Sequence, residues 1–255
     1  MKSELTIIKI GGKIISDSEL LEKYLKKINQ TNGNVIIIHG GGNIANDYFE
    51  KNNIPVKMIN GRRITDKIAI EKLVMLYSGK INKNIISKLN KSEKKYIGLS
   101  GVDSKVILSK KREIKEVDYG YVGDITSING IFLKLLIDNN IYPVICPITA
   151  DKNGLLLNTN ADTIATKVAI EMSKYYDLRL LYCFDKSGVL ENNKVIKRIN
   201  YHDYLNLLKN KTIKDGMIPK IENAFDSIKN GVKKVYIGDI NIFENPNNST
   251  EICLS

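Results

Sequence analysis

Two glycine-rich segments of this 255-residue chain follow apolar, β-branched runs and lead into sequences with helical periodicity. The first is Gly11-Gly12, after the run 5–10, and the second is His39-Gly40-Gly41-Gly42, after the run 35–38. A strand that turns through glycines into a helix exposes backbone N–H groups at the positive end of the helix dipole. Both segments therefore predict an anion-binding site.

Three charged side chains stand close to junctions of this kind. Lys9 interrupts an apolar run just before the first glycine pair, Asp162 opens a helix, and Lys220 lies near the start of a later helix. Each has an ordinary interpretation: Lys9 as an edge-strand lysine that reaches water, Asp162 as an acid that complements a helix dipole, Lys220 as a surface lysine. The place of Lys9 beside an anion-type loop favours function, and only the whole set separates function from background.

Several other chemistries find little support in the residues. His39 and His202 are the only histidines, too few for a His-based triad or a zinc cluster. The chain has neither a Gly-x-x-x-x-Gly-Lys-Ser/Thr segment nor a Gly-x-Ser-x-Gly segment, which argues against a P-loop and against an esterase. The spacing Gly40-x-Gly42-x-x-Ala45 matches a degenerate dinucleotide fingerprint, but Arg62-Arg63 stands where an acid is expected, so NAD fits poorly and NADP only loosely.

The elements that would position these residues alternate between strands and helices. Apolar runs predict strands over 5–10, 35–38, 96–99, 142–148, 179–183 and 233–237. Helical spacing predicts helices over 18–29, from 43, over 66–90, 130–140, 162–172, 201–210 and 217–230. Asn60-Gly61 predicts a hairpin turn, and 105–127 resembles a decorated hairpin rather than core. The pattern favours a mostly parallel sheet covered on both faces, with ligands where strands end and helices begin.

Composition limits the class of protein further. Lys and Arg number 39 against 28 Asp and Glu, a net charge of +11, but the lysines are scattered with little aromatic interleaving. This favours attraction of anionic substrates over a nucleic-acid partner. Three cysteines, an odd number, predict buried free thiols in a reducing compartment. The apolar run before Gly11 is too short for a signal or a membrane span, so we expect a cytosolic protein without a membrane partner.

Six motifs occur in the order and spacing of the amino acid kinase family. They are Lys9-Ile-Gly-Gly-Lys13, His39-Gly-Gly-Gly42, Asn60-Gly-Arg-Arg-Ile-Thr-Asp66, Asn158-Thr-Asn-Ala-Asp162, Asp185-Lys-Ser-Gly-Val189 and Asp215-Gly-Met-Ile-Pro-Lys220. Each is weak alone, but together they span essentially the whole chain, which therefore resembles that family. The resemblance implies an α/β fold, a three-layer αβα sandwich around a mainly parallel sheet. It also implies an N-terminal lobe over 1–175 that binds an acylated amino acid and forms a homodimer, and a C-terminal ATP-binding lobe over 176–255.

The implied reaction transfers the γ-phosphoryl group of Mg-ATP to the side-chain carboxylate of N-acetyl-L-glutamate, a step of arginine biosynthesis. A carboxylate is already ionised at pH 7, so the reaction needs positioning and charge neutralisation and no general base. By resemblance, Lys9 and Lys220 approach the transferring phosphoryl group from opposite lobes, and Asp162 holds their ammonium groups. Mg²⁺ is expected to bind through the ATP phosphates, without a metal site of the protein's own.

The resemblance also assigns the binding residues. Gly41 and Gly42 face the substrate, Arg63 pairs with its α-carboxylate, and Asn158 fixes its backbone end. The nucleotide is assigned to Gly11, Gly12, Asp185, Gly216 and Met217. Three alternatives stay open: the same reaction on N-succinyl-L-glutamate, the same reaction on carrier-linked aminoadipate or glutamate, and a nucleotide-binding regulator, which should have lost Lys9, Asp162 or Lys220.

The chain departs from the family pattern in two segments. Cys183-Phe184-Asp185-Lys186-Ser187-Gly188 stands where many relatives have Thr-Asp-Val-x-Gly, and Ser249-Thr250 stands where a Gly-Thr pair is usual. Both departures concern adenine recognition rather than the chemistry. The first strand begins by Leu5, so we expect the N-terminal helix of the hexameric, arginine-inhibited relatives to be missing. The expected assembly is a dimer without strong arginine feedback.

Overall fold

A computed structural model describes residues 2–59, 62–213 and 215–254 of the chain. Its strands are β1 Glu4–Ile10, β2 Asn34–His39, β3 Met58–Ile59, β4 Arg62–Arg63, β5 Lys95–Leu99, β6 Ile107–Lys111, β7 Gly123–Ile128, β8 Ile141–Ile145, β9 Ile148–Ala150, β10 Leu156–Asn158, β11 Asp177–Cys183, β12 Leu190–Glu191, β13 Lys194–Val195, β14 Arg198–Ile199, β15 Lys234–Gly238 and β16 Thr250–Ile252. Its α-helices are α1 Gly12–Ser16, α2 Ser18–Gln30, α3 Gly42–Lys51, α4 Lys67–Val74, α5 Asn82–Leu89, α6 Gly130–Asp138, α7 Ala161–Met172, α8 Tyr201–Lys209 and α9 Ile218–Lys229.

The main sheet has eight strands in the order β14-β16-β15-β11-β1-β2-β8-β5. All neighbours in it are parallel except β15 and β16. Central strands β1, β2 and β11 are buried along almost their whole length, which requires cover on both faces. One group of helices, α1, α2, α3 and α5, packs together, and a second group, α6, α7 and α9, does the same. The predicted αβα sandwich with a mainly parallel sheet is confirmed.

Most predicted elements form where the sequence places them, with one strand shortened. The strand predicted over 142–148 is wrong at its end, because it stops at Ile145 and the chain resumes as β9 in a second sheet of order β10-β9-β6-β7. Pro147 lies in the break between the two strands, although β8 itself accommodates another proline, Pro143, within its pairing with β5. The long helix predicted over 66–90 also contains a π-helical turn, Met75–Ile81, between α4 and α5.

Both predicted hairpins form. Strands β3 and β4 pair antiparallel around residues 60 and 61, which themselves lie outside the described residues. Strands β6 and β7 pair antiparallel as well, but the expectation that this hairpin lies outside the core is wrong at its base, where Val106 and Ile107 are fully buried. Of the cysteines, Cys146 and Cys183 are buried thiols as predicted, whereas Cys253 is partly exposed because it follows the last strand.

The predicted boundary at 175/176 falls between α7 and β11. Strand β11 pairs with β1 over seven residues, so the main sheet runs through both predicted lobes, and their separate roles stay a prediction. Among the described helices, none has both the length and the apolar character that crossing a membrane requires.

Candidate active site

Lys9 lies on the central strand of the main sheet. Its backbone is opposite Ile38 of β2 on one side and Tyr182 of β11 on the other, so the edge-strand interpretation is wrong. Only 5% of the residue is exposed. A lysine in such a position must find a partner for its ammonium group inside the protein, because burial without one is costly.

That partner is Asp162, in the first turn of α7. The cap of this helix is Asn160, whose side chain accepts a hydrogen bond from the Thr163 N–H, so the carboxylate of Asp162 is held at the helix N-terminus. Lys9 Nζ forms an ion pair with Asp162 Oδ1 at 2.7 Å, outside hydrogen-bond geometry, and Lys220 Nζ donates to Asp162 Oδ2 at 2.9 Å. One carboxylate thus holds the ammonium groups of two lysines that are 211 residues apart in the sequence.

Electrostatics keep the carboxylate of this triad ionised. Burial alone would raise the pKa of Asp162, but the charges of Lys9 and Lys220 outweigh it and hold that pKa well below its usual range. Burial lowers the pKa of Lys9, the positive charge of Lys220 lowers it further, and Asp162 opposes both effects. Two ammonium groups and one carboxylate leave a net charge of +1, which suits an anionic ligand.

The two glycine loops meet beside this triad. The Gly40 N–H donates to the Ile10 carbonyl at 3.0 Å and so ties the second loop to the end of β1. At Gly42, an added Cβ would meet no atom within 4 Å, so this residue opens into the cleft. At Gly41, a Cβ would lie 2.7 Å from the Tyr77 ring and from Ile81. Packing inside the protein therefore requires glycine at 41, where the sequence suggested only collision with a ligand.

Arg63, on β4, presents a nearly buried guanidinium group to the same cleft. Its Nη2 donates to Asn46 Oδ1, and the guanidinium lies 4.9 Å from the centre of the Phe49 ring. Burial lowers the pKa of Arg63. Nη1 is enclosed and has no hydrogen-bond acceptor among the described residues. A guanidinium held this way is suited to a planar carboxylate.

Asn158, at the end of β10, completes the wall beside Arg63. Its Nδ2 donates to Thr65 Oγ1 at 3.1 Å, and its backbone N–H donates to the Tyr121 carbonyl at 2.9 Å. The cleft has a volume of about 370 Å³. Eight of the twelve residues predicted for the site line this cleft: Lys9, Gly12, Gly41, Gly42, Arg63, Asn158, Asp162 and Lys220.

The other four predicted residues lie outside this cleft. The Gly11 N–H donates to the Cys183 carbonyl at 3.0 Å, which joins the first glycine loop to the end of β11. Asp185 forms an ion pair with Lys13 at 2.9 Å in the following loop. Gly216 and Met217 belong to a 3₁₀ turn, Asp215–Met217, that leads into α9. Met217 also lines a second cavity of about 370 Å³ with Lys186, Gly188, Val189, Leu190, Lys211, Thr212 and Ile213.

Sequence reasoning missed several residues of the first cleft. Tyr77 lines it from the π-helical turn, and Asn46 on α3 accepts the hydrogen bond from Arg63; nothing in their local sequence marks either residue. Arg62 and Arg112 also line it, and Arg112 makes a bidentate contact with Asp124. Only Arg62 carried a signal, because it adjoins Arg63 at the predicted hairpin.

Comparison with known proteins gives this site a context. Residues 4–239 match the sequence model of the amino acid kinase family. The chain belongs to the amino acid kinase family. An acetylglutamate kinase from Bacteroides fragilis is 42% identical over 241 residues, 93% of this chain and 92% of that protein. One from Phocaeicola vulgatus is 43% identical over 241 residues, with 93% and 94% covered.

A solved structure has a similar fold. The crystal structure of a protein from Streptococcus mutans UA159 is 33% identical and matches with a TM-score of 0.81, covering 92% of this chain and 94% of that chain. Every site residue of the cleft lies within the span that matches the family.

Proposed function

We propose that this amino acid kinase transfers the γ-phosphoryl group of Mg-ATP to the side-chain carboxylate of N-acetyl-L-glutamate, a reaction of arginine biosynthesis. The observation that carries the proposal is the buried Lys9–Asp162–Lys220 triad, which shares one cleft with the guanidinium of Arg63. The names of the Bacteroides and Phocaeicola relatives support it.

The chemistry needs no base from the protein. A carboxylate oxygen of the substrate attacks the γ-phosphorus, the bond from that phosphorus to the β,γ-bridging oxygen breaks, and ADP leaves with the electron pair. Lys9 and Lys220 neutralise charge on the transferring group, while Asp162 keeps both ammonium groups in place and Lys9 protonated. A preorganised donor of this kind typically contributes about 3–4 kcal/mol to the transition state.

Substrate binding follows from the walls of the cleft. Arg63, which lines the cleft, pairs with the α-carboxylate through its planar guanidinium group. Asn158 fixes the backbone end of the substrate, and the N–H groups of Gly41 and Gly42 face its reacting end. Apolar side chains of the same cleft, Met58, Val122 and Pro147, surround the acyl group.

The nucleotide enters from the C-terminal part of the chain. Met217, which lines the second cavity, directly precedes α9, and Lys220 lies in the first turn of that helix. We therefore place the nucleotide in this cavity, with its phosphates toward the triad. Gly11, Gly12, Asp185 and Gly216 contact this substrate, and Mg²⁺ arrives on the ATP phosphates. Residues 1–175 thus bind the acyl amino acid and residues 176–255 bind ATP.

We also propose that the chain forms a homodimer through its N-terminal lobe, without strong arginine feedback. Size-exclusion chromatography with light scattering should give twice the mass of one chain, with or without arginine. A mass of six chains would contradict the assembly and leave the proposed reaction untouched.

N-succinyl-L-glutamate is the second candidate substrate, and one observation favours it. Arg62 lines the cleft near Arg63, so a second carboxylate on the acyl group would meet additional positive charge there, whereas the charge of Arg112 is balanced by Asp124. Carrier-linked aminoadipate or glutamate is a third possibility, consistent with the net charge of +11, although the Arg62-Arg63-Ile64-Thr65 segment resembles that of enzymes acting on free substrates.

An acyl phosphate is trapped by hydroxylamine as a hydroxamate, whose complex with ferric iron is coloured, and this provides the assay. Purified protein with Mg-ATP should give the highest kcat/KM with N-acetyl-L-glutamate among the acetyl, succinyl and carrier-linked substrates. Lys220→Ala should lower kcat at least about 100-fold, whereas Lys229→Ala, an exposed lysine on the same helix, should leave it unchanged. No turnover of any acyl glutamate would refute the proposal.

A further inference from the structure

His39 is a fully buried histidine that the proposed reaction does not use, although it adjoins the glycine loop. It ends β2, and its ring makes two contacts. Nδ1 lies 2.8 Å from the Gly40 carbonyl oxygen, and Nε2 lies 3.1 Å from Nδ2 of Asn82. Burial lowers the pKa of His39 to about 4, so the ring is neutral at pH 7 and carries a single N–H.

The neighbours of Asn82 determine which nitrogen carries that proton. Nδ2 of Asn82 lies 2.9 Å from the Val144 carbonyl oxygen, which can only accept a hydrogen bond. The amide nitrogen must therefore face Val144, because a flipped side chain would bring two oxygens together. The second N–H of the same amide then donates to Nε2 of His39. Since Nε2 accepts, the proton of the ring is on Nδ1, and Nδ1 donates to the Gly40 carbonyl.

This hydrogen bond acts on the one peptide of the loop that is otherwise unsecured. The peptide between His39 and Gly40 is held because its N–H, on Gly40, donates to the Ile10 carbonyl. The peptide between Gly41 and Gly42 is held because its carbonyl, on Gly41, accepts a hydrogen bond from the Ala45 N–H. The peptide between Gly40 and Gly41 has glycine on both sides, so it rotates with little steric resistance. The His39 ring is its remaining constraint.

The carbonyl of Gly40 and the N–H of Gly41 belong to the same planar trans peptide, so they point in opposite directions. Holding the carbonyl toward the buried ring of His39 turns the Gly41 N–H toward the cleft that Gly41 lines. Within the described part of the chain, this N–H has no backbone acceptor. It is therefore available to a ligand.

We infer that His39 is a positioning residue for phosphoryl transfer: it orients the Gly40–Gly41 peptide so that the Gly41 N–H faces the reacting group, and Asn82 selects the tautomer that this requires. The inference rests on the proposed function. It assigns the histidine of this loop to orienting an amide rather than to proton transfer.

Nitrogen-15 NMR tests the tautomer in the wild-type protein. Because the chain has only two histidines, labelled histidine gives two sets of ring signals, and His202→Asn identifies those of His202. The expected result is an Nδ1–H tautomer for His39 that does not titrate between pH 6 and 8. An Nε2–H tautomer or a charged ring would overturn the inference, and this result does not depend on turnover.

Two substitutions at position 39 separate positioning from packing. The amide nitrogen of Asn occupies roughly the place of Nδ1, so His39→Asn keeps a donor for the Gly40 carbonyl. The amide of Gln reaches the place of Nε2, so His39→Gln keeps only the contact with Asn82. The melting temperatures of the two variants show whether either of them is less stable than the other.

With N-acetyl-L-glutamate and Mg-ATP, His39→Gln should lower kcat about tenfold or more and leave both KM values within about twofold. His39→Asn should retain kcat within about threefold. Equal kcat values in the two folded variants would overturn the positioning role. A wild-type protein that turns over no acyl glutamate would instead refute the proposed function, and the tautomer measurement would still decide the orientation of the ring.

Discussion

Replacement of Asp162 by Asn removes one negative charge from between two ammonium groups and leaves the shape of the side chain almost unchanged. The side chains of Lys9, Asp162 and Lys220 are 7%, 10% and 20% exposed, so water cannot replace the lost charge. Burial and Lys220 already lower the pKa of Lys9, and Asp162 is the main group opposing them. In Asp162→Asn that pKa falls further, so Lys9 loses its proton at a lower pH than in the wild-type protein.

The size of the effect follows from burial. Removing one partner of a buried ion pair typically costs about 3–5 kcal/mol of stability. Loss of the ammonium charge at the phosphoryl group should lower kcat at least about 100-fold. Between the lowered pKa of folded Lys9 and the ordinary pKa of unfolded Lys9, the unfolded state of the variant binds more protons than the folded state. The free energy of unfolding should therefore rise with pH, relative to wild type, by up to about 1.4 kcal/mol per pH unit.

Urea unfolding at pH 7, 8 and 9 measures this slope, and the hydroxamate assay measures kcat. Asp226→Asn is the matched control, because Asp226 pairs with Lys167 at 2.9 Å where both side chains are about 40% exposed. It should lower the free energy of unfolding by less than about 1 kcal/mol and leave its pH dependence unchanged. The reasoning fails if Asp162→Asn unfolds with the wild-type pH dependence and keeps kcat within about threefold.

Three further predictions concern single residues of the cleft. Arg63→Lys should raise the KM for the acyl glutamate about 10- to 100-fold with little change in thermal stability, because a lysine cannot make two parallel bonds to a carboxylate; an unchanged KM would place that carboxylate elsewhere. Since burial lowers the pKa of Lys9, the wild-type kcat should decline on the alkaline side at a pH below 10.5, and a flat profile up to that pH would contradict the role of its charge. Gly41→Ala should destabilise the fold by about 1–3 kcal/mol, because the added methyl group would collide with Tyr77 and Ile81. Gly42→Ala should fold as well as the wild-type protein and lose activity. A lower melting temperature for Gly42→Ala than for Gly41→Ala would be incompatible with the packing described.

The main elements of the fold were predictable because their patterns are local. Strands such as Glu4–Ile10 and helices such as Ser18–Gln30 show an uninterrupted apolar run and a clear helical stripe. The π-helical turn Met75–Ile81 was not predictable, because its residues continue the helical periodicity on either side. The end of the strand at Ile145 was not predictable either, because the apolar run continues to Ile148 and has one proline inside the strand and another after it.

The candidate site was predictable to the extent that its residues adjoin glycine loops and helix starts. Lys9, Asp162 and Lys220 were recognised as a set from motif order, and their contacts then required three distant segments to meet. Asn46 and Tyr77 could not be found, since an amide on a helix face and a buried tyrosine are common in any α/β protein. Their importance depends on which side chains they touch, and sequence spacing does not contain that information.

The place of Lys9 on the central strand also has a consequence for the synthesis of the protein. Strand β1 leaves the ribosome before the strands it pairs with, and β2 is available to one of its edges soon afterwards. Its other edge pairs with residues 177–183, so that edge stays unpaired until this distant segment has been made. During that time the nascent chain exposes an apolar β edge to neighbouring molecules. We therefore expect the yield of native enzyme to depend on translation rate and chaperone supply more than on the stability of the finished fold.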